Sequence, residues 1–69
     1  MNTETLGTAL PKEIERCQEL LKDYESIGPS GFFGAAMLRR DISAALKAMA
    51  EGDCVAMIRA YKSLVDFKG

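Results

Sequence analysis

The sequence predicts an all-α fold, a small antiparallel bundle of three helices. Apolar residues recur at steps of three and four along most of the chain, which is the spacing of a helix with one buried face. No segment alternates apolar and polar residues in the manner of a half-buried strand. Glycine-containing breaks at 28–31 and 52–53 divide the pattern into three segments, and such short connections make successive helices antiparallel neighbours.

The first helix is predicted over residues 11–26. Pro11 suits the first helical position, because the N–H that proline lacks would have no helical partner there. Gly28 supplies the left-handed conformation that often ends a helix, and Pro29 blocks its continuation. The expected buried stripe consists of Leu10, Ile14, Cys17, Leu20, Leu21, Tyr24 and Ile27.

The second helix is predicted over residues 31–51, with Ser30 as its N-cap. Its main apolar positions are Ala35, Leu38, Ile42, Ala45, Leu46 and Met49. A second, adjoining strip consists of Met37, Ala44 and Ala48. Together the two strips cover roughly 200° of the helix circumference, which is more than a helix with one neighbour needs. We therefore expect this helix to lie at the centre of the bundle, in contact with both others.

The third helix is predicted over residues 54–67. Gly52 ends the second helix, and Asp53 is a suitable N-cap for the third. The expected inner face consists of Cys54, Met57, Ile58, Tyr61, Leu64 and Val65.

A chain of 69 residues allows one small domain, which we expect over residues 10–69, after a flexible tail at 1–9. Its net charge of −1 gives no electrostatic basis for binding nucleic acid or an anionic membrane. The longest uncharged run, 26–38, is too short to span a bilayer, and no signal peptide is recognised in the first ten residues. These features predict a cytoplasmic protein without a membrane partner.

The composition argues against enzymatic function. There is no histidine, so the commonest acid–base residue and the usual serine or cysteine triads are absent. Cys17 and Cys54 lie far apart in sequence and are too few for a zinc site. We therefore expect no catalytic residue, no metal and no cofactor. Both cysteines are interpreted as free, buried thiols, and a disulfide between the first and third helices stays open.

The connection between the first two helices is the main candidate for a functional site. It is rich in glycine and places Phe32 and Phe33 next to each other, which a plain turn does not require. Three interpretations stay open: Phe32 or Phe33 packs into the end of the bundle, the aromatic pair docks another chain, or the start of the second helix binds an anion. The spacing of the glycines excludes the standard phosphate-binding loops. The candidate interaction residues are Phe32, Phe33, Met37, Arg40 and Asp41, and the candidate anion-binding residues are Ser30, Gly31, Arg39 and Arg40.

Asp41 is an acid between the two apolar strips of the second helix. We expect a structural ion pair with an arginine such as Arg39 or Arg59. The alternative is a buried acid that recognises a basic partner.

Residues 27–64 resemble a group of short, functionally uncharacterised proteobacterial proteins, some of them in prophage regions. The shared pattern has a YxxIGP corner, an FGA-M-I/L start to the middle helix, a GD break and an M-I-x-A-Y-x-x-L helix. It falls on Tyr24, Ile27, Gly28, Pro29, Phe33, Gly34, Ala35, Met37, Leu38, Gly52, Asp53, Met57, Ile58, Ala60, Tyr61 and Leu64. The resemblance implies a bacterial or phage accessory protein and no particular activity.

Taken together, the sequence predicts a non-enzymatic protein-interaction module, an adaptor or inhibitor, that forms a homodimer. Methionines and paired phenylalanines provide more apolar surface than a small bundle easily covers, and a symmetric dimer covers such a surface. The alternative is binding of a small anionic ligand by the start of the second helix with Arg39 and Arg40. Nucleic-acid binding through Arg39, Arg40 and Lys47 is a weaker alternative, because the net charge does not support it.

Overall fold

Three helices make up residues 5–67, the part of the chain that the computed structural model describes. Helix α1 spans Leu6–Ser26, a 3₁₀ turn covers Gly28–Gly31, α2 spans Phe32–Glu51 and α3 spans Cys54–Val65. Every helix packs against the other two, and no strand occurs among the described residues. The predicted all-α three-helix bundle is confirmed.

Helix α1 begins five residues earlier than predicted. Thr5 is its N-cap residue, and the carbonyl of Thr5 accepts the N–H groups of Thr8 and Ala9 at 3.0 and 2.7 Å. The added turn is favoured because Leu6 packs against the core. Pro11 therefore lies inside the helix rather than at its start, and it leaves one carbonyl without a helical donor. Residues 6–9 of the predicted tail are helical, and residues 1–4 lie outside the described residues.

The core consists of aliphatic and small side chains. Its fully enclosed large residues are three leucines and one cysteine, and each of the described aromatic residues is half-buried or exposed. The buried residues are Leu10, Ile14, Cys17, Leu20, Ala35, Leu38, Ile42, Ala45, Ala48, Ala60 and Leu64. A domain this small buries limited apolar surface, so its stability margin is narrow.

The inner face of α3 is rotated relative to the prediction, and that of α2 departs from it at Leu46. Leu46, Ile58 and Val65 are 49%, 47% and 40% exposed, although the periodicity placed them inside. Ala60, which was not expected inside, is buried, and Ala48 of the second strip is buried as expected. Alanines allow two helix backbones to approach closely, so α2 and α3 meet on their small-residue sides and turn the larger side chains outward.

The two cysteines differ from the prediction in one respect. Both are free and Cys17 is buried as expected, but Cys54 is exposed at the first position of α3. No disulfide links the two.

Arg16 of α1 holds the end of α3, which stops at Val65 rather than at residue 67. Its Nη2 donates to the carbonyls of Leu64 and Phe67 at 2.8 and 2.9 Å. The carboxylate of Glu13 accepts from Arg16 at 3.0 Å and orients the guanidinium. These bonds occupy carbonyls that the end of a helix leaves unpaired, and the positive charge lies at the negative end of the helix dipole.

Candidate interaction site at the tip of the helical hairpin

The hairpin of α1 and α2 extends beyond the end of α3. Helix α3 has 12 residues, against 21 and 20 for its neighbours. The thiol of Cys17 lies 3.6 Å from the Leu64 carbonyl, so α3 ends near the level of Cys17. From that level α1 continues for nine residues to Ser26, about 14 Å at 1.5 Å per residue. We call this part of the hairpin, residues 20–37, the tip.

The turn at the end of the tip depends on two glycines. Gly28 has φ +77°, in the left-handed region that favours glycine. Gly31 is buried, and a Cβ atom on it would lie 2.1 Å from the Tyr24 carbonyl oxygen and 2.7 Å from Cγ1 of Ile27. At this turn the backbones of α1 and α2 are therefore in close contact. The close contact fixes the positions of the side chains around the turn.

Three large apolar side chains at the end of the tip are exposed to solvent. Ile27 is 58% exposed, Phe32 is 62% exposed and Phe33 is 78% exposed. We call them the tip patch. The interpretation that Phe32 or Phe33 packs into the end of the bundle is wrong, because both rings are mostly exposed. The exposure of Ile27, which was expected inside, adds a third apolar residue to the patch.

Phe32 and Phe33 point to different sides of the hairpin. Successive helical residues are about 100° apart, whereas residues four apart share a face. Met37 comes four residues after Phe33 and is half-buried in a groove beside Phe67 at the end of α3. Phe33 therefore lies on the side of the hairpin that α3 occupies further down. Phe32 shares its side with Arg39, which pairs with Glu25 of α1 at 2.7 Å.

The four candidate anion-binding residues do not converge on one point. The Ser30 hydroxyl donates to the Ile27 carbonyl at 3.4 Å, and Gly31 is buried against α1. Arg39 is paired with Glu25, and Arg40 is directed toward Asp41. The 3₁₀ turn also uses the first N–H of α2, because Phe32 donates to the Pro29 carbonyl. The geometry therefore does not support an anion site here.

Asp41 lies in a groove between α2 and α3 and is only 17% exposed. Its ion pair is with Arg40, Nε to Oδ1 at 3.7 Å, and not with Arg39 or Arg59 as expected. Arg59 and Ser63 line the same groove, whose volume is about 310 Å³. Because Arg40 is 72% exposed, this pair is well solvated and adds little to stability.

The two thiols are expected to react at very different rates. Burial raises the pKa of the Cys17 thiol above its ordinary value, an effect that the neighbouring Arg16 charge partly offsets. Because the thiolate is the reactive form, an aromatic disulfide reagent at pH 8 should titrate one thiol, Cys54, in the folded protein and both in urea. The Cys54→Ser variant should show no fast reaction. Equal rates for both thiols in the folded protein would contradict the burial of Cys17.

The raised pKa also makes stability depend on pH. The neutral Cys17 thiol is favoured in the folded state, so its contribution is complete below the ordinary thiol pKa of 9.0 and is lost as the pH rises through the higher folded value.

The sequence did not reveal the role of Arg16. A charged residue on the outer side of a helix is usually solvated, and nothing in the local sequence marks this one as the cap of a helix 48 residues away.

Other kinds of site find no support among the described residues. No group of three His, Cys, Asp or Glu side chains in this part of the chain is arranged to hold a metal ion. None of the helices within residues 5–67 is both long and apolar enough to cross a membrane. Comparison of the chain with protein-family models, curated proteins and solved structures gives no match.

Proposed function

We propose that this protein is a non-enzymatic protein-interaction module that binds a second copy of itself through the tip patch. The observation that carries the proposal is the exposure of Phe32 and Phe33 on a rigid turn at the end of the molecule. The two rings point to different sides of the hairpin, but with Ile27 they concentrate exposed apolar surface at one end of the molecule, and such concentrations mark interaction surfaces more often than scattered single residues do. A role as an adaptor or inhibitor belongs to the same proposal, and the resemblance implies only that the protein is a bacterial or phage accessory protein.

The distribution of large side chains supports this function. Aromatic residues contribute the largest apolar areas in most cores, yet here the aliphatic residues form the core and the two most exposed aromatic residues stand together at the tip. The exposed parts of Ile27, Phe32 and Phe33 amount to roughly 400 Å² of apolar surface, taking about 200 Å² for a bulky side chain. A small domain with a thin core gains stability when a partner covers such a surface.

Light scattering after gel filtration tests the proposal. The wild-type mass should rise from one chain toward two as the concentration increases through the micromolar range, which is typical of small interfaces. The double variant Phe32→Ser/Phe33→Ser should stay at one chain and keep the wild-type helical content. Val55→Ser is the matched control, because Val55 is 60% exposed on α3, outside the tip. It should associate as the wild type does.

Two results would overturn the proposal. One is a wild-type protein that remains a monomer at every concentration. The other is a double variant that still associates, because the tip patch would then play no part in the contact.

A further inference from the structure

We infer that two copies associate by overlapping their tips side by side, so that each tip fills the space beyond the end of the other copy's α3. This inference rests on the proposed function, since it specifies the geometry of the same contact. The partner is a second copy of this chain, and the overlap is a short four-helix bundle made of two α1–α2 hairpins.

Among the described residues, α3 does not reach the apolar side of the tip that continues the α3 contact; Ile27 and Phe33 on this side are exposed, and Tyr24, Gly34 and Met37 are half-buried. Cys17 touches α3 at Leu64, and Tyr24, seven residues further along α1, lies on the same side, with Ile27 following at the end of the helix. On α2 the same side continues from Met37 back to Phe33. The ring of Tyr24 lies against Gly34, where a Cβ would be at 3.5 Å, and so joins the two rows. We call these five residues the tip face: Tyr24, Ile27, Phe33, Gly34 and Met37.

None of the five residues of the tip face is charged, and the nearest charged side chains on this side, Arg40 and Asp41, line the groove at its lower edge beside Met37. In a two-fold contact each surface meets an identical surface, so a charge near the axis would face a like charge. Burial of unpaired charge is also costly. An apolar centre with charged residues only at its lower edge suits self-association, whereas on the opposite side the Arg39–Glu25 ion pair lies within the tip itself.

The end of α3 determines how the two copies are arranged. A two-fold axis parallel to the helices would place both α3 helices in the same space below the tips. With a two-fold axis perpendicular to the helices, the parts of the two copies that contain α3 lie at opposite ends of the dimer. The end of each α3 then limits how far the tip of the other copy can extend. Each helix in the overlap then runs antiparallel to both of its neighbours, the usual arrangement of an up-and-down four-helix bundle.

The length of the overlap sets the strength of the contact. About 14 Å of paired helices and the apolar surface of the tip face give an interface on the order of 1,000 Å² in total, at the lower limit for specific complexes. The dimer should therefore be reversible, with a dissociation constant in the micromolar range.

Single substitutions distinguish this arrangement from other uses of the tip patch. Phe33 belongs to the tip face, whereas Phe32 lies on the side of Arg39. Phe33→Ser should raise the dissociation constant at least about 10-fold, as loss of a central interface residue does, and Phe32→Ser less than about 3-fold. Sedimentation equilibrium measures both. The reverse order of effects would overturn the overlap and leave the proposed function intact.

A distance measurement tests the arrangement directly. Cys54 is exposed at the end of the molecule opposite the tip, and Cys17 is buried, so a nitroxide reagent should label Cys54 alone in the native protein. Cys54 lies ten residues, about 15 Å, before Leu64 at the end of α3, and the overlap adds about 14 Å, so tip-to-tip overlap should give one Cys54–Cys54 distance on the order of 45 Å by pulsed electron paramagnetic resonance. Phe33→Ser should abolish the dipolar signal.

Two other outcomes of the distance measurement would contradict the overlap, and the second would also contradict the proposed self-association. A distance below about 30 Å in a dimer of confirmed mass would place the α2–α3 turns together and overturn the overlap alone. A labelled protein that stays monomeric at all concentrations would overturn both the overlap and the proposed self-association.

Discussion

Replacing Gly31 by alanine is expected to lower the free energy of unfolding by about 2–3 kcal/mol, because the new methyl group has no space. The nearest atom to its Cβ would be the Tyr24 carbonyl oxygen at 2.1 Å. That atom belongs to the backbone of α1, so it cannot move aside as a flexible side chain would. Relief of the clash requires the two helices of the hairpin to separate at their closest point.

The midpoint of thermal unfolding measures the effect. In a domain of this size, a loss of 2–3 kcal/mol corresponds to a decrease of roughly 10–20 °C. Gly34→Ala is the matched control, because Gly34 is three residues away within α2 and its Cβ would make only ordinary contacts of 3.5–3.6 Å with the Tyr24 ring. Alanine favours the helix over glycine, so this variant should gain about 0.5 kcal/mol. A wild-type midpoint for Gly31→Ala would show that the turn is not closely packed.

Replacing Leu38 by alanine is expected to cost about 2–5 kcal/mol, the range for leucines in well-packed cores. Leu38 is fully buried near the middle of α2, among residues of both other helices. Truncation removes its buried methyl groups and leaves a cavity that helices held on both sides cannot easily close. In a protein with a narrow stability margin, this substitution should leave a substantial unfolded fraction at 37 °C.

Leu46→Ala provides the comparison within the same helix. The sequence pattern placed Leu38 and Leu46 on one inner face, but Leu46 is 49% exposed. Its truncation should cost less than about 1 kcal/mol. Urea unfolding followed by circular dichroism measures both variants. Equal losses would mean that Leu46 is buried and that α2 is rotated relative to the arrangement described above.

Local sequence signals predicted the helices and their breaks well. Gly28 and Gly52 adopt positive φ at the two breaks, and the Asp53 carboxylate accepts the Ala56 N–H at the start of α3. These features depend on residues a few positions apart. The start of α1 was predicted too late because proline is common at the first position of a helix, and Pro11 was interpreted in that way. The helix begins earlier because the contact of Leu6 with the core outweighs the hydrogen bond that is lost at Pro11.

The candidate site was predicted only in part. The unusual pair Phe32 and Phe33 directed attention to the tip, but the sequence favoured rings packed into the bundle. Their exposure depends on how α2 is oriented where Gly31 contacts α1, which the tertiary structure decides. The partners of Arg39 and Asp41 were also missed, because ion pairs depend on how neighbouring helices are rotated.

For this chain, periodicity and turn chemistry were sufficient to specify three antiparallel helices, because helix period, caps and glycine conformations are local properties. The orientation of each helix about its axis was decided by packing, since alanine sides bring helices closer than leucine sides do. The lengths of the helices then decided where α3 ends and how far the tip projects. Arg16, which holds that end through the Leu64 carbonyl, acts across 48 residues of sequence, and only the folded chain brings the two together.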